Sequence, residues 1–351
     1  MIDWIKMHIP LPHPAPISSG FVQSVDDDGV IEWHTAKRRP LKGSHDAQVN
    51  VRTVTHTADR CVLVEFDGNP VKWLQGHNLW GTDDVVGLVL ETCELVAQRL
   101  GVDVSAETRA KWRAGHIELF RVDVACSFAL DSRAQVLAWI RAAEQSSHLA
   151  HRGRGQLTKG STLYYGKNSR RWSLKLYSKG QEIHAKGHGQ DAVLGLPSAV
   201  QWADRVLRAE LVLRKLELKR LLLDVLANWK QSDEVTTVLP FGLLMERLGR
   251  LTMTTTSTLS PDVLESLRPS LRAAFLAWES GHDLREMFPR PTFYRYRAAL
   301  LPHGIDIATV VPKATTASNV VPLHRVLEPR PVDVPAWAVG TPLYFEPRKF
   351  A

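Results

Sequence analysis

Three segments of this chain alternate apolar and polar residues with a period of two, the pattern of strands buried on one face only. In Leu119–Phe128, Phe120, Val122, Val124, Cys126 and Phe128 oppose Arg121 and Asp123. In Trp172–Lys179, Trp172, Leu174 and Leu176 oppose Ser173, Lys175, Tyr177 and Lys179. In Val206–Arg214, Leu207, Ala209, Leu211 and Leu213 oppose Arg208 and Glu210. A chain with such segments must build a sheet with one face on a core. If the three are neighbours, the other face gathers two carboxylates, a tyrosine and several cations.

Further short runs read as strands: Ile2–Pro10, Ala47–Val54, Cys61–Phe66 and Thr162–Tyr165. Helices lie between them without regular alternation. Thr82-Asp83-Asp84 opens one that runs to Leu100 and stops at Gly101, and Asp131 caps another through about Glu144. This predicts an α+β domain with a mainly antiparallel sheet flanked by helices. From about residue 215 the pattern turns helical, with Leu216–Trp229 amphipathic. Ser260-Pro261 starts a helix expected to end near Gly281, and Pro291-Thr292 opens one closed by Pro302. After Pro312 the chain is proline- and valine-rich, an extended tail anchored by Trp337, Tyr344 and Phe345. The expected division is a domain over residues 1–235, a helical module over 236–312 and a tail over 313–351.

With 44 Lys and Arg against 37 Asp and Glu, the net charge is +7, which suits a polyanionic partner. Eleven tryptophans add potential stacking surfaces for unpaired bases, although most such rings belong to a core. The first residues carry an acid and no long apolar stretch, unlike an export signal, and no run of 18 apolar residues could span a membrane. Cys61, Cys93 and Cys126 are far apart, which argues against disulfides and thiolate zinc sites and for a reducing cytoplasm.

The polar strand faces have a chemical reading. A tyrosine oxygen can attack a DNA phosphate and form a 5′-phosphotyrosyl link that stores the bond for rejoining. Carboxylates can hold a hard divalent ion, and flanking Lys and Arg can stabilise charge and lower the tyrosine pKa from about 10. The bland alternative is a solvated sheet face with alternating ion pairs. Tyr164, Tyr165 and Tyr177 compete for the role of nucleophile; Tyr177 is expected to carry it, because it shares a strand face with Lys175 and Lys179. Arg121 and Arg208 complete the cationic set, and Asp123 and Glu210 are the expected metal ligands, with Glu65 in reserve. His184 with His188, and His148 with His151, have ligand spacing, but glycines beside the first pair undercut a helix there. No His-apolar-His strand is present. Between residues 151 and 171 a glycine-studded basic loop carries Arg152, Arg154, Lys167, Arg170 and Arg171, a pattern that grips phosphates without reading sequence. Downstream, Asp283–Phe288 and Thr292–Leu301, joined by Pro289-Arg290-Pro291, suggest a helix-turn-helix whose Arg295 and Arg297 reach DNA; a plain packing hairpin is the alternative.

Four segments carry a family resemblance: Met1-Ile2-Asp3; Leu74-Gln75-Gly76-His77-Asn78-Leu79-Trp80-Gly81-Thr82-Asp83; Arg121-Val122-Asp123 with Arg208-Ala209-Glu210; and Ser169-Arg170 followed by Leu176-Tyr177-Ser178-Lys179. Pro291–Tyr296 and Asn319–Leu323 add to it. The chain resembles the gene II replication initiators of filamentous phages and, more distantly, the Rep-trans plasmid initiators. Ser178 stands where the plasmid motif has Asp. The resemblance implies an endonuclease that nicks double-stranded replicative-form DNA at the phage origin, starts rolling-circle synthesis and rejoins the displaced single strand. It implies Mg2+ or Mn2+ as cofactor, host helicase and DNA polymerase as partners, and the cytoplasm of the bacterial host. His77 of the Gln-Gly-His-Asn loop either contacts the scissile phosphate or caps the following helix and its loop. The rival class is a DNA-binding replication-control protein without catalysis.

Overall fold

In a computed structural model, the described residues are 1–43, 47–56, 61–149, 152–185, 190–230, 238–253, 261–280, 282–303, 305, 307–308 and 330–348. The strands are β1 (Ile2–His13), β2 (Phe21–Val25), β3 (Ile31–Ala36), β4 (Arg39–Lys42), β5 (Gln48–His56), β6 (Cys61–Gly68), β7 (Glu118–Ala129), β8 (Ser147–Leu149), β9 (Gly153–Arg154), β10 (Gln156–Thr158), β11 (Thr162–Tyr165), β12 (Trp172–Ser178), β13 (Val206–Arg214), β14 (Leu251–Met253) and β15 (Arg330–Pro331). One antiparallel sheet dominates, in the order β10-β11-β12-β13-β7-β1-β6-β5-β4, with β15 added against β7. The three alternating strands predicted from sequence are therefore consecutive: β12, β13 and β7.

Register fixes which side chains share a face. Leu174 lies opposite Leu211, Val124 opposite Leu211 and Ile5 opposite Val122, so the apolar positions form one continuous surface. The helices Val85–Leu100 and Arg133–Ser146 bury Leu88, Val89, Cys93, Val136 and Ile140 in the core that includes this surface. Each fully buried aliphatic side chain there contributes about 1.5–3 kcal/mol relative to exposure.

Local chemistry sets the helix ends. Asp84, rather than Thr82, is the N-cap of Val85–Leu100: its carboxylate accepts from the Gly87 amide, while Thr82 Oγ1 accepts from the Asp84 amide. Ser132, one residue past the expected Asp131, caps Arg133–Ser146. The helix predicted from Ser260 to Gly281 is broken into Pro261–Ser266 and Pro269–Glu279, because Pro269 cannot continue the first and starts the second. Leu216–Trp229 resolves into Lys215–Arg220 and a 3-10 turn, Leu226–Trp229. The hairpin β2–β3 has no counterpart among the strands expected from sequence; Phe21, Val22, Ile31 and Trp33 on it are exposed.

The helices from Pro261 to Leu300 have a small core of their own around Phe275, Trp278, Leu284, Phe293 and Leu300, whereas Val238–Gly249 and β14, which fall in the expected helical module, pack against the sheet domain. The tail returns to the sheet domain. Beyond β15, Trp337 packs edge-on against Trp80, and Phe345 donates its amide to Gln75 Oε1. No helix among the described residues is long and apolar enough to cross a membrane.

Candidate active site on the polar sheet face

Opposite the core, the face shared by β11, β12, β13, β7 and β1 collects the predicted groups. Tyr164 lies opposite Lys175, Lys175 opposite Glu210, and Tyr177 opposite Arg208. Asp123 sits one strand further, opposite Val212 and Trp4. Lys175 Nζ lies 3.0 Å from Glu210 Oε2 and 4.0 Å from the centre of the Tyr177 ring. Burial alone would lower the Lys175 pKa, but Glu210 outweighs it and holds the ammonium protonated.

Residues from elsewhere in the chain close one end of this face. Asp3 Oδ1 accepts from Asn69 Nδ2 at 3.0 Å and Asn78 Nδ2 at 2.8 Å. Asn78 Oδ1 in turn accepts from Lys179 Nζ at 2.7 Å, and Lys179 also meets Glu182 at 2.7 Å. Lys179 does not continue the strand. Ser178 caps a short helix, Lys179–Ile183, by accepting from the Gln181 amide, and the Lys179 side chain is fully buried. Burial depresses its pKa, opposed mainly by Glu182. Arg208 is likewise fully buried, donating to the carbonyls of Asn78 (2.7 Å) and Leu79. Both cations, expected from sequence to serve the phosphate, are here buried and bonded within the fold instead of facing solvent.

Tyr177 is only 3% exposed, and burial, reinforced by Glu210 and Glu182, pushes its hydroxyl well above the ordinary value of 10. Tyr165 points to the core, where its hydroxyl bonds Ser147 and burial pushes its pKa up to about 12. Tyr164 differs. It is half-buried on the polar face, with Lys167 Nζ 5.0 Å from its ring centre.

The expected metal ligands do not make a cage as they stand. Arg121 engages both Asp123 oxygens, Nε to Oδ1 at 2.8 Å and Nη2 to Oδ2 at 2.5 Å. Burial raises the Asp123 pKa; Arg121 opposes this, Glu210 and Asp3 add to it, and the carboxyl lies up at about 7. Glu210 is taken by Lys175, and Glu65 by Lys6 (3.0 Å), Arg38 (2.9 Å) and Arg52 (3.0 Å). Burial would raise the Glu65 pKa, but hydrogen bonds from His8, Lys6 and Arg38 hold it well below the carboxylate range. Among the described residues, no three His, Cys, Asp or Glu are grouped to hold an ion. A hard cation needs several free oxygens, and here guanidinium and ammonium groups occupy them. The second member of each histidine pair lies outside the described residues.

The Gln-Gly-His-Asn loop is structural in this arrangement. His77 is fully buried, and its Nε2 lies 2.9 Å from the Leu343 carbonyl of the tail. Gln75 Nε2 donates to the Trp80 carbonyl at 2.8 Å, and Trp80 Nε1 donates to Leu343 at 2.7 Å. A phosphate contact by His77 would need the tail to leave; His77 Nδ1 instead accepts from the Leu79 amide within the loop, while Asp84 and not this loop caps the following helix. The sequence reading missed Asp3, Asn69, Glu182 and the returning tail as partners of this face. Met1-Ile2-Asp3 and the Gln-Gly-His-Asn loop were the available signals. Ser178-x-x-Gln181 is a capping-box spacing that would have ended the strand at Ser178.

The remaining predicted contacts lie outside the sheet's centre. Lys167, Arg170 and Arg171 are exposed on the turn from β11 to β12, and Arg171 is 3.9 Å from Glu217. Arg295 is exposed and Arg297 half-buried on the helix Arg290–Leu300, which follows the single-turn helix Leu284–Met287.

The chain matches the N-terminal family of the phage replication-associated gene II protein over residues 1–232 and its C-terminal family over residues 264–344. The replication-associated gene II protein of Enterobacteria phage I2-2 is 36% identical over 339 residues, spanning 96% of each chain. Among solved structures, the rolling circle replication initiator protein from Geobacillus stearothermophilus shares 12% identity and a TM-score of 0.32, over 75% of this chain and 89% of that one. On the extent of the first match and the identity to the phage protein, the chain belongs to the family of phage replication-associated gene II proteins.

Proposed function

We propose that this chain initiates rolling-circle replication of a filamentous phage genome by nicking one DNA strand at the origin and later rejoining it, with Tyr164 as nucleophile. One observation carries the reading. Of the three tyrosines on β11 and β12, only Tyr164 is both on the polar face and partly open to solvent. The Tyr164 hydroxyl gives up its proton as its oxygen attacks phosphorus; the bond to the 3′ oxygen breaks, and that oxygen takes up one proton in exchange. The product is a 5′-phosphotyrosyl link and a free 3′ hydroxyl, and attack by a 3′ hydroxyl on that link reseals the strand and returns the tyrosine. Lys175, kept protonated by Glu210, and Lys167 over the ring supply positive charge where the phenolate and the phosphorane develop it. Tyr177, the expectation from sequence, would first have to leave the interior. The carboxylates expected to hold Mg2+ or Mn2+ are paired with Arg121 and Lys175, so as arranged they do not fit such an ion.

The family relationship supports double-stranded replicative-form DNA and the displaced single strand as substrates. Host helicase, polymerase and a cytoplasmic setting follow from the resemblance. Supercoiled origin DNA tests the proposal: the chain should convert it to open circles, and Tyr164→Phe should lower that rate by about 10³-fold or more while origin binding persists. Shifted bands without open circles would support the non-catalytic reading instead.

A further inference from the structure

We propose that the cavity between β9 and the turn joining β11 to β12 binds a backbone phosphate of single-stranded DNA. This rests on the reading that DNA runs along the polar face past Tyr164. The cavity is about 240 Å³ and is lined by Arg152, Arg154 and Lys167, with the polar side chains of Gln156, Asn168 and Ser169 and the backbone of Gly166. Every side chain facing it carries hydrogen-bond donors and none is a carboxylate, so its chemistry selects an anion with several acceptor oxygens.

The cations are held in place. The Arg152 guanidinium lies 4.5 Å from the centre of the Trp172 ring, on a residue whose ring also meets Arg247 at 5.1 Å. Stacking of this kind fixes the guanidinium plane while leaving its edge donors available. Arg154 Nε donates to the Glu144 carbonyl at 2.9 Å, which orients that side chain. The turn is closed by the Ser169 amide on the Gly166 carbonyl (2.9 Å) and the Arg171 amide on Ser169 Oγ (3.2 Å). Gly166 has φ +66°, and a Cβ there would come within 2.8 Å of Arg152 Cδ, so a larger residue would displace the arginine. Burial, with Arg171 and Arg247 nearby, works against the Arg152 charge, opposed by Glu217. An anion in the cavity relieves that crowding.

Its location gives the cavity a task. Gln156 lies directly opposite Tyr164 across the β10–β11 pair, and Gly166 is two residues beyond it. Lys167, which lines the cavity, also reaches over the Tyr164 ring. A phosphate seated here anchors the strand beside the one that Tyr164 attacks, and contacts of this kind set register without reading bases.

Binding of the full-length chain to oligo-dT of about 20 nucleotides, across salt concentrations, separates this from the nicking proposal, because no cleavage is needed. Arg152→Gln combined with Lys167→Gln should flatten the plot of log affinity against log salt by about 0.7 and weaken binding about 5-fold at about 0.1 M salt. Lys167→Gln alone, on an exposed turn where folding is not at stake, should move both in the same direction. Arg152→Lys with Lys167→Arg, which keeps the charges, should retain most of the slope. Lys111→Gln, the loss of one exposed charge on the helix Ala106–Ala114, which does not line the cavity, should leave the slope unchanged. A slope in the double variant equal to that of the wild type, or an equal flattening in Lys111→Gln, would overturn the cradle, whether or not the chain nicks DNA.

Discussion

Tyr177 and Tyr164 occupy adjacent strands on one sheet face, yet their surroundings are opposite. Around Tyr177 the charged side chains find partners within the fold: Arg208 donates to loop carbonyls, Lys179 meets Asn78 and Glu182, and Asp3 accepts from two asparagines, although Arg208 Nε itself has no partner among the described residues. Around Tyr164, at the sheet's outer strands, Lys167 and Arg170 are exposed, and the neighbouring cavity is lined by donors alone. A buried charge survives only when paired, so the inner half of the face is committed to holding the fold. The rim leaves Lys167 and Arg170 open to solvent, where the proposal places DNA. Residue type alone does not separate the two halves, because both are built from Tyr, Lys and Arg at the same strand period.

The comparison breaks most violently if the inner half is disturbed. Arg208→Met should cost about 2–6 kcal/mol by leaving two buried carbonyls without a donor, at about 1–3 kcal/mol each, read as a lower urea midpoint. A midpoint within error of wild type would mean that Arg208 is not a tie, and would reopen its role toward the phosphate.

A smaller effect concerns Asp123. Its folded pKa of about 7 lies above its ordinary value of 3.8, so the native state holds the proton more tightly than the unfolded chain. This group's contribution to stability is therefore full below about pH 4, falls as pH rises to about 7, and is flat above. Asp123→Asn should remove that slope, measured as the difference in unfolding free energy between about pH 5 and about pH 8. An unchanged slope would mean that the Arg121 pair keeps the carboxyl ionised throughout.

Weaker still is the expected contribution of the helical module. Arg295→Ala and Arg297→Ala should each reduce the salt slope of duplex-origin binding by about 1 if they contact phosphates, and leave cleavage of a single-stranded origin oligonucleotide nearly unchanged. Unchanged origin affinity at every salt concentration would transfer recognition to the rim around Arg152 and Lys167.

The sheet was legible because its strands alternate strictly. Thr162–Tyr165 and Val206–Arg214 were readable to the residue, since an apolar set every second position admits only one register against a core. The β2–β3 hairpin escaped because neither of its faces is buried, so no alternation marks it. The helix break at Pro269 was readable from the proline and was overrun by an amphipathic pattern that continues on both sides. At the site, the period of two correctly gathered Lys175, Tyr177 and Glu210 with Asp123 nearby. It could not foretell depth: the loop at Gln75–Asn78 and the segment after Ser178 fold over one end of the face and bury Tyr177, while Tyr164 escapes that cover. Depth is set by contacts distant in sequence, including a tail some 266 residues from His77.

In this proposal the rim, not the interior, performs the chemistry. Nicking of labelled origin DNA, followed by protease digestion and mapping of the peptide that retains the 5′ phosphate, tests it directly. The label is expected on Tyr164, within the Thr162–Tyr165 strand. Label on Tyr177, with Tyr164→Phe still fully active, would contradict it.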